Sequence, residues 1–181
     1  ENPNFKVLLL EAGPQDNSLL IKIPALFSKL YKSKYDWNFH TVPQVKYGEG
    51  RVHYWPRGKV LGGCSSINAN IHMRGPKEDY DEWDRILGGN SGWSADEIWK
   101  YFEKCPIPAY QPTPSDVHDI NRQVVQSLHK FFNIPIKNVF TGKEHTPSVG
   151  YNDRTVLNGV RASSSEIYLT PEVVKRPNLH I

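Results

Sequence analysis

Pro56-Arg57-Gly58-Lys59-Val60-Leu61-Gly62-Gly63-Cys64-Ser65-Ser66-Ile67-Asn68 is the stretch whose reading decides the fold. Two adjacent glycines meet three small hydroxyl or thiol side chains, with Arg57 and Lys59 upstream and an amide at the end. Side chains this small let a bulky cofactor approach the backbone. The glycines permit φ values that other residues avoid. Free N–H groups in such a turn, above all one that opens a helix, form an anion site. The stretch reads as a loop that holds a phosphate-bearing cofactor, with a plain Gly-Ser surface turn as the alternative.

Upstream, Phe5 to Leu10 is a near-continuous apolar run. It predicts a strand buried on both faces of a parallel sheet. Glu11 ends the strand, and Ala12-Gly13-Pro14 makes a turn. A strand ending in an acid is the second-strand pattern of a dinucleotide fold, where the carboxylate accepts hydrogen bonds from ribose hydroxyls. An ordinary charged strand end is the alternative. In such folds a Gly-x-Gly-x-x-Gly turn precedes this strand. Only six residues stand before Val7, so the chain is expected to be a fragment without that turn.

Between these stretches, a small helix is expected over Ala25 to Tyr31, then an extended excursion from Tyr35 to Trp55 with a turn near Gly48. Downstream, Lys77 to Leu87 predicts a helix with Tyr80, Trp83 and Leu87 on one face, ended by Gly88-Gly89. Ser94-Ala95-Asp96-Glu97 predicts a capping box, stapled by Trp93 and Ile98. The helix it opens, Ala95 to Lys104, should bury Ile98, Trp99 and Phe102. Val117, Ile120, Val124, Leu128 and Phe131 keep helical spacing up to Phe132, and Asn133-Ile134-Pro135 closes that element. Four prolines between Pro106 and Pro114 exclude a central strand there. Ser163 with Glu166 predicts a capped turn over Ser164 to Leu169, ended by Pro171.

The loop at 56–68 and its continuation, Ile71-His72-Met73-Arg74-Gly75-Pro76-Lys77-Glu78-Asp79-Tyr80-Asp81-Glu82-Trp83, resemble the first signature of the glucose-methanol-choline (GMC) oxidoreductases, a flavoprotein family. Val7-Leu8-Leu9-Leu10-Glu11-Ala12-Gly13, Tyr35-Asp36-Trp37-Asn38-Phe39 and Asn158-Gly159-Val160-Arg161-Ala162-Ser163-Ser164-Ser165 agree with it in order. The resemblance implies an α/β fold, part of a Rossmann-like FAD-binding domain with the beginning of a substrate domain, and incomplete. Residues 1–181 would be the FAD-binding region without its first glycine turn, and 107–160 a shortened portion of the substrate domain. It also implies FAD contacts. Glu11 and Ala12 would meet the adenosine ribose, Val60, Gly62 and Gly63 would form the loop, and Asn68, Ala69, Asn70 and Ile71 would line the cofactor. Ile67 stands where flavin-linked relatives carry His, so FAD is expected to be held non-covalently.

The activity implied is oxidation of the CH–OH group of a small-molecule alcohol, with hydride passing to flavin N5. The family's catalytic His has no counterpart among these residues, and no catalytic residue is assigned. The rival reading is a non-catalytic remnant that turns over no substrate. An NAD-dependent dehydrogenase leaves the 62–68 loop unexplained. Without the first glycine turn the chain is expected to bind FAD weakly or not at all, to be marginally stable and to expose an unpaired strand edge.

Composition narrows the rest. Hydrophobic residues are 38% and aromatics 12%, which argues against disorder. The net charge of +3 is spread without a basic block, which gives no support for nucleic-acid or membrane-surface binding. No apolar run approaches the roughly 18 residues that cross a bilayer. Cys64 and Cys105 suggest no disulfide framework, and Cys64 reads as a small buried side chain. His72 reads as a structural histidine. His40, His53, His118, His129, His145 and His180 show no metal-ligand spacing.

Overall fold

The computed structural model describes residues 4–46, 48–137 and 147–181; His145 lies outside them. In chain order the strands are β1 (Val7–Leu8), β2 (Phe39–His40), β3 (Tyr54–Trp55), β4 (Ile71–His72), β5 (Asp153–Arg154), β6 (Val156–Leu157), β7 (Val160–Arg161) and β8 (Leu179–His180). The α-helices are α1 (Leu19–Lys22), α2 (Lys77–Ile86), α3 (Ala95–Lys104), α4 (Asp119–Phe132), α5 (Ser164–Tyr168) and α6 (Pro171–Val174). The chain divides into two units, Glu1–Asn70 with Val156–Ile181, and Ile71–Thr155.

In the first unit the apolar run at 5–10 forms a strand only at Val7–Leu8. It pairs in parallel with β8, Val7 opposite Leu179 and Leu8 opposite His180. The expectation of burial on both faces is corrected: Leu8 is 65% exposed and Leu10 84%. A parallel strand is buried when sheet neighbours and helices cover it, and among the described residues β1 has one neighbour. Ser18 caps α1 through its side chain. The small helix expected at 25–31 is a 3-10 turn over Pro24–Lys29, opened by a proline that has no N–H to lose. Ile21, Leu30, Tyr35, Val60 and Ile67 form the core around these elements.

The aromatic excursion is a short hairpin, β2 antiparallel to β3 with Phe39 opposite Trp55. The turn expected near Gly48 is there, over Gly48–Gly50. Asp36 ties the hairpin's base. Its carboxylate accepts from Lys32 N at 2.8 Å, Asn38 N at 2.9 Å and Arg57 N at 3.0 Å, and from the Tyr54 hydroxyl. Burial alone would raise the Asp36 pKa, but these four donors outweigh it and hold the carboxyl below its ordinary value.

In the second unit α3 runs over Ala95–Lys104 as expected, and Gly88 and Gly89 end α2 with positive φ. The capping box at Ser94 is corrected: its side chain makes no cap bond. Asp81 on α2 takes the Ala95 N–H instead, at 3.0 Å, and a carboxylate is the stronger acceptor. The 3-10 turn at Pro114–Asp116 holds the capping box, between Thr113 and Asp116. The face of α4 is corrected too. Val117 and Val125 are buried, whereas Ile120, Val124, Leu128 and Phe131 are exposed. Helical spacing identifies an apolar stripe but not how much of it finds a partner. Tyr110, in the proline-rich link, makes only an isolated bridge to Arg154. His72 lies opposite Asp153 across β4 and β5. Burial lowers its pKa, Arg74 adds to the shift, and Asp153 opposes it.

Asp36→Asn should cost about 1.5–3 kcal/mol at neutral pH, the range for hydrogen bonds to a charged group. The folded carboxyl titrates below its unfolded value of 3.8. The wild-type advantage is therefore complete above that pH and lost as pH falls through the lower folded value. Thermal melts of both proteins from pH 7 to pH 2.5 check it: the gap in Tm should stay constant, then close only at the acid end.

Candidate functional site

The loop at 58–68 is built on backbone contacts that a side chain would block. A Cβ at Gly58 would lie 2.2 Å from the Gly63 carbonyl oxygen, and one at Gly13 1.9 Å from that of Lys59. Leu61 N donates to Pro14 O at 3.0 Å. The turn after β1 is thereby packed onto the glycine loop. Gly62 and Gly63 both take positive φ, but their surroundings differ. A Cβ at Gly62 would strike the Ser66 and Ser165 hydroxyls, whereas one at Gly63 would meet nothing within 4 Å. One side of the loop is therefore filled by protein and the other is open.

The turn itself, Gly63–Ser66, is a single 3-10 turn. Serines hold it. Ser66 Oγ donates to Leu61 O at 2.7 Å and Ser65 Oγ to Gly62 O at 2.6 Å. Ser164 donates its N–H to Ser65 Oγ at 2.8 Å and its hydroxyl to Gly62 O at 3.1 Å. Ser165 donates to Asp16. The predicted cap is present, with Ser163 Oγ accepting from Glu166 N at 3.2 Å. The helix it opens, α5, ends at Tyr168.

Arg161 on β7 lies beneath the loop and is 1% exposed. Its Nε donates to Ile21 O at 2.9 Å. Its Nη1 reaches Ser65 O at 3.2 Å, Asn68 O at 2.8 Å and Asn68 Oδ1 at 2.9 Å. Nη2 is buried without a hydrogen-bond partner. Every acceptor around this cation is neutral, and burial pushes its pKa down to about 10. Sequence reasoning left Arg161 inside a motif with no task. A charged side chain in a strand reads as surface, and only the three-dimensional neighbours reveal otherwise.

The sequence-predicted site residues divide by position. Glu11 and Ala12 are exposed at the end of the β1 segment. Glu11 Oε1 accepts from Gly13 N at 2.7 Å. Glu11 lines a cavity of about 180 Å³ with Gly13, Pro14, Gln15, Leu61 and Ile181. Val60 is fully buried in the core, backbone included. Asn68 and Ala69 are exposed, and Asn70 is buried with positive φ. Ile71 begins the second unit and is exposed. Cys64 is exposed rather than buried, and its Sγ accepts from Gly58 N at 3.4 Å. Its small size serves the close approach of Gly58. Among the described residues no group of three His, Cys, Asp or Glu side chains is placed to hold a metal ion. None of their helices is long and apolar enough to cross a membrane.

Residues 12–181, which include the loop, the serines and Arg161, match the GMC oxidoreductase family. The chain belongs to that family. It is 37% identical over 199 residues to mitochondrial choline dehydrogenase of Mus musculus, covering 99% of this chain and 33% of that protein. It is 36% identical over 192 residues to "Alcohol dehydrogenase [acceptor]" of Pseudomonas putida, covering 99% and 34%. Among solved structures it resembles pyridoxine 4-oxidase from Mesorbium loti, with a TM-score of 0.89, 27% identity and coverage of 99% and 37%. It also resembles formate oxidase, with a TM-score of 0.79, 27% identity and coverage of 100% and 34%. This GMC chain thus spans about a third of the length of the curated relatives it matches.

The two kinds of glycine should respond differently. Gly13→Ala meets backbone that cannot swing aside and should cost about 3 kcal/mol or more. Gly63→Ala meets open space and should cost about 1–2 kcal/mol, from its left-handed φ alone. Thermal unfolding of both variants checks the order.

Proposed function

We propose that this chain is the FAD-holding part of an oxidoreductase that acts on the CH–OH group of small-molecule alcohols. The observation that carries the reading is the juncture of Glu11 and the glycine loop. Glu11, Gly13 and Leu61 border one small cavity. Its size suits a sugar rather than a whole dinucleotide. Glu11 Oε1 is engaged by Gly13 N, which fixes the carboxylate and leaves Oε2 as an acceptor for ribose hydroxyls.

Two further features support a flavin dinucleotide. The open face over Gly63 admits a flat ring against the backbone, as an added Cβ would fill that space. The guanidinium of Arg161, buried beneath the loop, holds the main-chain carbonyls of Ser65 and Asn68 in place before a ligand binds. Glu11 and Ala12 would meet the adenosine ribose. The backbone of Gly62 and Gly63 would border the ring, with Asn68, Ala69 and Asn70 beside it, and Val60 is assigned to the cofactor loop through the family motif. Ile71 is assigned to the same cofactor through the family motif, and residues 107–160 to the start of the substrate domain. When bound, FAD supplies a hydride acceptor for the alcohol carbon. The residues of this chain bind and orient, and none is assigned to accept the alcohol proton. Ile67 offers no nucleophile and lies in the core, which supports non-covalent retention.

Titration of the chain with FAD, followed by flavin fluorescence and visible absorbance, tests the reading. Saturable weak binding is expected, and Glu11→Gln should weaken it more than Glu11→Asp. Charge-assisted bonds to ribose are worth about 1.5–3 kcal/mol, so the Gln variant should lose about tenfold in affinity. Acid precipitation should release all of the flavin into the supernatant. Equal dissociation constants for wild type and Glu11→Gln would reduce Glu11 to a strand-end residue.

A further inference from the structure

We infer that Arg161 fixes the orientation of the Asn68 side-chain amide, so that Asn68 presents its NH2 group outward as the hydrogen-bond donor of the cofactor loop. The inference deepens the FAD reading above and rests on it for the identity of the ligand. Asn68 Oδ1 sits 2.9 Å from Arg161 Nη1 and 3.0 Å from the backbone N of Asn70. Both neighbours only donate. Turning the amide over would set its NH2 against two donors and leave them unpaired, so the carbonyl must face inward. The fork of the amide then places Nδ2 on the other arm, at a residue that is exposed.

The surroundings hold that arrangement. Arg161 Nη1 also binds the main-chain carbonyl of Asn68, so the same guanidinium pins backbone and side chain together. The left-handed φ of Asn70 brings its N–H round to Oδ1, a conformation Asn tolerates better than most residues. An Asn fixed in this way discriminates: it suits an acceptor atom of FAD and repels a donor. Arg161 touches no ligand in this scheme. It is a positioning residue acting through Asn68.

Asn68→Asp separates positioning from simple structural support. The carboxylate keeps both inward acceptors and gives the buried guanidinium an anionic partner, but it has no N–H to present. Its Tm should rise by about 2–4 °C, while FAD affinity falls about tenfold or more. Asn68→Ala should lower both. In an Arg161→Gln background the Asp substitution should lose its Tm gain, which closes a double-mutant cycle. Where Arg161→Gln does not fold, the sign of the shift in the wild-type background decides. A Tm for Asn68→Asp at or below wild type would overturn the inward carbonyl. An FAD affinity at or above wild type would overturn the donor role. If the wild-type chain binds no FAD, the flavin reading and the donor role both fall, and the Tm shift still decides the orientation.

Discussion

Backbone-on-backbone contact at Gly13 and Gly58 is the constraint from which the rest of the site follows. At both positions any side chain would intrude on main-chain atoms, at 1.9 and 2.2 Å. Backbone cannot rotate away as a side chain can, so these two residues fix how closely the β1 turn, the 58–60 segment and the 62–64 turn stack. That stacking carries Glu11 to the edge of the glycine loop. It also leaves the loop's carbonyls close to protein rather than water, where each needs a donor. The pair Ser65-Ser66 and the triplet Ser163 to Ser165 meet this need together. Ser65 and Ser66 turn back onto Gly62 and Leu61, and Ser164 reaches Gly62 from α5. Stretches nearly a hundred residues apart in sequence thus form one structural device.

Arg161 meets the same need beneath the loop. Ile21, Ser65 and Asn68 belong to two separate segments, and one planar fork of donors reaches all three. Lysine has a single nitrogen and could not span them in the same geometry. Burying this cation among neutral acceptors is costly, as its lowered pKa records. The return is a loop whose conformation is set before any ligand arrives, which reduces the ordering cost of binding.

Elements specified by their own residues were legible in the sequence. α3 keeps its expected bounds, Gly88-Gly89 ends α2, Asn133 ends α4 with a left-handed φ, and Ser163 caps α5. Features that depend on a distant partner were not. Ser94 has the sequence of a capping box, yet the helix start is taken by Asp81, fourteen residues away. The 5–10 run has the composition of a buried strand, yet burial depends on what lies beside and over it. The tight turn at Gly62-Gly63 was legible because its left-handed φ values restrict residue type. Arg161 and the Asp36 hub escaped notice because a charge gives no local sign of being buried.

The loop at 58–68 also separates two tasks that the motif alone blends together. Val60, Leu61, Ser66, Ile67 and Asn70 are buried, so their identities answer to the core and to the loop's own hydrogen bonds. Cys64, Asn68 and Ala69 are exposed, and Gly63 is open on one side. Changes at the inward set act first on folding, and reach a ligand only by moving the loop. Changes at the outward set meet solvent, or the ligand proposed for this loop, with little effect on the fold. Asn68 belongs to both sets, because its carbonyl is tied to Arg161 while its amino group is outward. At such a position stability and binding need not move in the same direction. A carboxylate there strengthens the inward tie while removing the outward donor.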